Sequence, residues 1–331
     1  MNRRAAIAEI LRTSSRTLIV CHTRPDGDCL GSSLALAHAL RRLGGTALVA
    51  SADGVPSNLA FLPGAEHVIT TWQEPDVPPV VVTMECSGLD RTGTFAAVVA
   101  RAQTILAIDH HAGHVAYAHL TDWDPAAAAV GEQVADLIGR LGVTIDREIA
   151  VGLLTALVTD TGVFRFANTT SRTLRLAADL MERGATLQDV IRPVYEELPP
   201  STMRLLGAAL AAIVLHEGGT VATVVITPQM VAAAGAGAEE TSGIAAMLRT
   251  VAGVRLAAVF EDRGDLVRVS IRARDGVRAD RAAEALGGGG HAGAAGAEVA
   301  APLREVIARA IDAFRREVTR GGNGEERVGV A

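Results

Sequence analysis

Leu18-Ile19-Val20-Cys21-His22-Thr23-Arg24-Pro25-Asp26-Gly27-Asp28 starts as a short apolar run and ends in a histidine and two aspartates. Residues 17–22 read as a buried strand, too short and too rich in branched aliphatic side chains for a helix. Beyond it Leu30, Leu34, Ala37 and Leu40 recur at helical spacing, and Gly44-Gly45 closes the segment. A second apolar run follows at 46–50. Strand, helix, strand predicts a right-handed βαβ unit and a parallel sheet, with ligands at the carboxyl ends of the strands.

Two more runs, 80–85 and 104–109, extend that sheet. Each ends in polar chemistry. Glu85 closes Val80-Val81-Val82-Thr83-Met84, and Asp109-His110-His111 closes Ile105-Leu106-Ala107-Ile108. Helical patterns follow at about 125–141, 146–159 and 170–183, and Arg192-Pro193 with Leu198-Pro199-Pro200 marks a linker. A second alternation comes next: helix 201–213, strand 220–226, helix 240–250, strands 254–261 and 265–273, helix 278–286 and a last helix near 301–318. The expected organisation is an α/β chain with a metal-binding domain over 1–190, a linker over 191–204 and a smaller α/β domain over 205–318. A disordered tail is expected over 319–331, with fraying from Gly321, and the active site is expected in the cleft between the domains.

At 331 residues, two domains are the reasonable expectation, and 49% hydrophobic with 21% charged residues describes a globular chain. A net charge of −6 argues against a broad grip on long duplex nucleic acid, yet permits a short anion held by local arginines. The odd set Cys21, Cys29 and Cys86 fits a reducing compartment better than a disulfide framework. Arg3, Arg4, Glu9, Arg12 and Arg16 interrupt any apolar stretch at the start, so no signal peptide or membrane span is expected and the protein is expected in the cytoplasm. The alanine-rich composition is compatible with a homodimer.

His22, Asp26 and Asp28 come from one strand-to-helix loop, where Gly27 allows a sharp turn between the carboxylates. A lone Asp-Gly-Asp is often a solvated turn, and a lone histidine on an apolar strand is more often structural than a ligand. Together with Glu85, Asp109-His110-His111 and Asp160, they make a credible site for two cations about 3.5–4 Å apart. Oxygen ligands with a minority of imidazole suit manganese or magnesium better than zinc. His111, next to His110, is placed to bind a phosphoryl oxygen or give a proton, or else to orient a ligand. In the second domain Gly287 to Gly290 before His291 would offer backbone N–H groups to an anion. Arg268, Arg272 and Arg274 alternate along a strand, so all three would share one face as a phosphate or nucleobase clamp.

These pieces, in this order, resemble the DHH–DHHA1 phosphoesterases, particularly the nanoRNase (oligoribonuclease)/pAp-phosphatase type, from roughly residue 15 to 315. The opening motif is similar to residues 21–28 with Gly31-Ser32, the third to Asp109-His110-His111, the fourth to Thr159–Arg165, and the glycine-rich substrate motif to Gly288-Gly289-Gly290-His291. The resemblance implies two divalent cations, manganese foremost and magnesium as the alternative. One would be held by His22 and Asp26, the other by Asp28, His110 and Asp160, with Glu85 bridging them. It also implies substrate contacts from Arg91, Arg272, Arg274, Gly288, Gly289, Gly290 and His291. The implied activity is hydrolysis of short oligoribonucleotides, linear dinucleotides such as pApA, and pAp. A cyclic-dinucleotide phosphodiesterase or a non-catalytic nucleotide sensor are the alternatives. Two positions depart from the family pattern: Glu85 stands where an aspartate is usual, and Ala129 where a serine is.

Overall fold

The computed structural model describes residues 3–325 apart from 112, 114 and 242, and the chain divides into two compact units between Glu197 and Leu198. In the first unit the elements run α1 (Arg3–Thr13), β1 (Arg16–Cys21), α2 (Gly27–Arg42), β2 (Thr46–Ala50), β3 (Val80–Met84), α3 (Ala96–Val99), β4 (Thr104–Asp109) and β5 (Leu120–Trp123). Then come α4 (Val130–Leu141), α5 (Arg147–Asp160), α6 (Ser171–Glu182) and α7 (Leu187–Ile191). Among the described residues the strands form one parallel sheet in the order β2-β1-β3-β4-β5. The chain moves outward from β1 to β2, then crosses back to β3. The carboxyl ends of β1 and β3 therefore flank a topological switch point, where open α/β sheets place their ligands.

The strands are buried on both faces, as their near-continuous apolar runs require. One face packs against α2, α4 and α5 through Ile19, Val82, Leu106 and Ile108, and the other covers Leu18, Val20 and Val81 with Phe95 and Val99. Helices α2 and α5 cross backbone to backbone. A Cβ on Gly31 would fall 2.3 Å from the Gly152 carbonyl oxygen, and one on Gly27 would fall 2.5 Å from the Thr159 side chain. That antiparallel contact sets Asp28, in the first turn of α2, beside Asp160, the last residue of α5.

The second unit contains α8 (Pro200–Ala211), β6 (Val214–His216), β7 (Val221–Ile226), α9 (Pro228–Ala234), α10 (Ile244–Leu248), β8 (Leu256–Asp262) and β9 (Val267–Ala273). It ends with α11 (Ala279–Glu284), β10 (Gly289–Gly290), β11 (Ala294–Val299) and α12 (Leu303–Glu325). Its sheet has the order β10-β11-β9-β8-β7-β6, antiparallel except for the β7–β8 pair. Apolar layers lie on both faces, one around Phe260 and Phe314, the other around Leu205, Ile226 and Leu248.

The stretch expected as a linker, 191–204, holds a short π-helical turn over Arg192–Glu196 and the start of α8. Gly321 does not end the last helix, which continues to Glu325. Of the expected tail, 326–331 lie outside the described residues. Among the described residues no helix is long and apolar enough to cross a membrane.

Candidate metal centre

His22, Asp26, Asp28, Glu85, His110 and Asp160 all stand at the carboxyl side of the first sheet, on the ends of β1, β3 and β4 and on the facing ends of α2 and α5. His22 is buried, and its Nδ1 lies 2.8 Å from the Thr23 carbonyl oxygen. A carbonyl can only accept, so that nitrogen carries the proton and Nε2 presents its lone pair. Nε2 lies 3.8 Å from both Asp26 Oδ1 and Glu85 Oε2. His110 repeats the arrangement. Its Nδ1 is 3.1 Å from the Ala127 carbonyl oxygen, and its Nε2 is 3.3 Å from Glu85 Oε1, 3.8 Å from Asp160 Oδ2 and 4.0 Å from Asp28 Oδ2. Metal-ligating histidines are typically held this way, one nitrogen on a backbone carbonyl and the other on the ion.

The carboxylates are held unequally. Asp28 is fully buried and satisfied. Its Oδ2 accepts the Val130 N–H at 2.6 Å, and its Oδ1 accepts the Gly131 N–H and the Ser32 hydroxyl, each at 3.0 Å. Helix α4 has Ala129 at its N-cap, with no side-chain oxygen, and Asp28 supplies that cap from another helix. Glu85 is buried too, but its Oε2 has no hydrogen-bond partner. Its backbone is left-handed at φ 54°, a conformation costing a non-glycine residue about 1–2 kcal/mol. This position brings one carboxylate within reach of both histidines. Asp26 caps α2 by accepting the Cys29 N–H at 3.0 Å.

Burial, then the charges of Asp28, Asp26 and Asp160, push the Glu85 carboxyl well up. Burial likewise raises Asp28, with His110 pulling against it, and burial with the Asp28 charge lifts Asp160 to about 8. Asp26 goes the other way. Burial would raise it, but the hydrogen bond and charge of His22 outweigh that and bring it down to about 2. Burial opposes the charged forms of His22 and His110, yet Asp26 lifts the first and Asp28 with Asp160 the second. A cluster of mutually repelling carboxylates, Asp28 and Glu85 buried and one oxygen orphaned, with two imidazoles aimed at it, fits hard divalent cations. Among the described residues, three overlapping groups have ligand atoms within 4.8 Å of one another: Asp28, His110 and Asp160; Glu85, His110 and His111; and His22, Cys29 and Glu85. Burial, followed by the Cys21 contact, holds the Cys29 thiol well above its usual range, so it stays protonated and donates to the Met84 carbonyl at 3.4 Å.

These shifts make a prediction for the metal-free protein. Asp28, Glu85, Asp160, His22 and His110 all have folded pKa values above their ordinary ones, so their stabilising contribution is lost as pH rises through those values. Asp26 is already ionised throughout that window. The melting temperature in chelator should therefore fall between pH 5 and about 8, the Asp160 value. Added manganese should raise it most at the alkaline end. A metal-free melting temperature that climbs over this window would contradict the arrangement.

Asp109 is buried, and its Oδ1 accepts from the backbone N–H of His111 at 3.0 Å and faces the His111 Nδ1 at 2.7 Å. It orients His111, whose ring stands edge-on to His110. A Trp123 Nε1–H bond to the His111 carbonyl, 2.8 Å, fixes the same turn. Arg91 lies beside His22, with one guanidinium nitrogen 3.3 Å from Nδ1 and another 3.4 Å from the Thr23 hydroxyl. After Asp160 the chain makes a strained turn, with Val163 and Phe164 at positive φ, and Asn168 donates to the carbonyls of both Ala128 and Asp160.

In the second unit the row expected along β9 is rearranged. Arg268 and Arg272 alternate on one face, but β9 ends at Ala273, and Arg274 turns to donate to the Val254 carbonyl at 2.6 Å and the Val251 carbonyl at 3.3 Å. Arg249, at the C-cap of α10, stands near Arg272 instead. Burial, then the charges of Arg249 and Arg268, lower the Arg272 pKa. The glycine run is no loose linker. Gly289 and Gly290 pair with Gly296 and Ala295, and a Cβ on Gly288 would fall 2.1 Å from the Gly296 carbonyl oxygen. The N–H groups of Gly287, Gly288 and His291 all donate to backbone carbonyls, so the expected N–H cradle is not built from them. His291 closes a tight turn with Ala294, which pairs with Arg272.

The DHH family, N-terminal domain, matches residues 16–157, and the DHHA1 domain matches residues 218–320. The chain is 37% identical to the bifunctional oligoribonuclease and PAP phosphatase NrnA of Thermus thermophilus, across 96% of this chain and 94% of that one. It is 27% identical to the protein of the same name from Bacillus subtilis, across 88% and 92%. An exopolyphosphatase-related protein from Bacteroides fragilis shares the fold, with a TM-score of 0.90 at 23% identity over 95% of this chain and 96% of that one. The chain belongs to the DHH family of proteins with a carboxyl-terminal DHHA1 domain.

Proposed function

We propose that this protein hydrolyses short oligoribonucleotides and linear dinucleotides such as pApA to mononucleotides, and pAp to AMP, with manganese as its metal. That it is a phosphoester hydrolase follows from its family and its near full-length relatives. The single observation that carries the finer reading is the pair His22 and His110. Both are pinned at Nδ1 to a carbonyl, and both turn Nε2 toward the same buried Glu85 carboxylate.

In this reading His22 and Asp26 would hold one cation, Asp28, His110 and Asp160 would hold the other, and Glu85 would serve both. When bound, such a pair generates a hydroxide near neutral pH and neutralises phosphate oxygens. The protein's own residues do the rest. Asp28, braced by α4, keeps its oxygens fixed while the site loads. Asp109 holds His111 by Nδ1, which turns the ring toward the reacting phosphate, and His111 protonates the leaving oxygen as its bond to phosphorus breaks. Arg91 contributes positive charge beside His22. In the second unit Arg272, with Arg268 and Arg249, offers positive charge to a phosphate, and His291 lies at the same corner of that sheet. A local cluster in place of a continuous basic track favours short substrates.

Glu85 also bears on the sensor alternative. Its carboxylate reaches both histidines despite the extra methylene, which favours turnover over mere binding. The test is parallel turnover of pApA, a five-nucleotide RNA, pAp and a cyclic dinucleotide with manganese, magnesium or chelator. Release of AMP from pApA that requires manganese and weakens with chain length is the expected result. Nucleotide binding without turnover under any metal would overturn the reading.

A further inference from the structure

We propose that Trp123 is the stacking platform for a nucleobase of the substrate, and so a specificity residue for nucleotides over other phosphoesters. The inference rests on the nucleotide reading above and names the residue that recognises the base.

Aromatic side chains are few here, two Trp, two Tyr and six Phe, and the largest of the fully buried ones serve the apolar layers. Trp123 does not. It is 44% exposed, although it is the last residue of β5 and pairs in register with the fully buried Asp109. Its position is fixed. The indole Nε1–H donates to the His111 carbonyl at 2.8 Å, while Asp109 holds the His111 ring. The ligand atoms of His111, His110 and Glu85 lie within 4.8 Å of one another, so the exposed indole is tied to a residue of the candidate metal cluster itself.

Trp has one polar atom, and that hydrogen bond uses it. What remains open to solvent is carbon and a π face. Such a face offers a phosphate nothing, but a flat nucleobase can stack on it, and stacking tolerates any base. The chain between β4 and β5 carries another exposed apolar side chain, tied to the segment after Glu85. Val115 is 63% exposed and is anchored by its N–H to the Ser87 carbonyl at 2.7 Å, two residues after Glu85. The second tryptophan offers no such surface at the site. Trp72 belongs to the opposite apolar layer with Val81 and Phe95, and Arg16 lies over its ring.

The test uses the full chain carrying Trp72→Phe, so that Trp123 is the one indole emitter. With magnesium present, AMP is compared with ribose 5-phosphate, which has the same phosphate and no base. AMP should quench Trp123 emission saturably and ribose 5-phosphate should not. Equal responses to the two, or none to AMP, would overturn the proposal. This readout needs no turnover, so it is separable from failure of the hydrolase reading, which the unaltered protein's own assay reports. In the wild-type background Trp123→Ala should raise KM for pApA by about 10- to 100-fold. Trp123→Phe keeps a ring but loses the bond to His111. It should restore most of the KM while retaining any loss in kcat, whereas an unrestored KM would assign Trp123 to bracing the turn alone.

Discussion

Glu85→Gln is expected to lower kcat by about 10²–10³-fold, the usual consequence of removing one preorganised charge from a reaction centre, while making the metal-free protein more stable. The two effects have one source. Glu85 is buried beside Asp28, Asp26 and Asp160, and its Oε2 has no hydrogen-bond partner. At the alkaline end, where Glu85 has lost its proton, a neutral amide of the same shape relieves the repulsion. There the metal-free melting temperature should rise by about 2–4 °C for each kcal/mol relieved in a unit the size of Met1–Glu197, and the further rise on adding manganese should shrink. Glu85→Asp keeps the charge but withdraws it by a methylene from His110 Nε2, now at 3.3 Å. A displacement near 1 Å costs on the order of a hundredfold, so kcat/KM should drop. A gain in rate would instead show that the natural glutamate detunes the centre. Circular dichroism melts in chelator and in manganese, beside initial rates on pApA, read both effects.

Asp28→Asn should behave differently, although it also removes one buried negative charge. Asp28 accepts from Val130, Gly131 and Ser32. An asparagine keeps one acceptor oxygen and turns an NH₂ group against a backbone N–H, so α4 loses part of the side-chain cap that Asp28 supplies. Metal-free stability should fall by about 1 kcal/mol, and kcat should fall by about 10²–10³-fold. Opposite signs of the stability change in Glu85→Gln and Asp28→Asn are the signature to look for. If both variants stabilise the protein, the capping role assigned to Asp28 fails. Denaturant midpoints measured in chelator decide this.

The parallel sheet was legible because its central strands are buried on both faces and read as unbroken aliphatic runs, with acids and histidines at their exits. The elements that escaped the pattern have physical reasons to do so. Residues 120–123, Leu-Thr-Asp-Trp, form an edge strand with a polar interior, since Asp122 pairs with Arg4. The strands 289–290 and 294–299 are almost all glycine, alanine and small residues, so no hydrophobic alternation marks them. The helix expected from 125 begins at Val130, because Asp124 and Pro125 open a turn in which Ala127 donates to Asp124.

The candidate site was legible in its residue types and opaque in its supports. Ala126–Ala129 looks like compositional bias, yet the Ala127 carbonyl fixes the tautomer of His110 and the Ala128 carbonyl receives Asn168. Backbone acceptors leave no trace in side-chain identity. Nothing in the sequence links Asp28 to α4, about a hundred residues away, or Trp123 to His111. Arg274 was expected in the arginine row from alternation alone, and the end of β9 one residue earlier turns it to the Val251 and Val254 carbonyls. Arg249 belongs to a separate helix, so spacing could not bring it to Arg272.

The most direct measurement is release of AMP from pApA by the unaltered chain, with bound manganese counted on the same preparation. Two manganese ions per chain, with AMP release that chelator abolishes and manganese restores, is the predicted result. Nucleotide bound to a chain that takes up one metal ion or none, with no AMP formed, would contradict it.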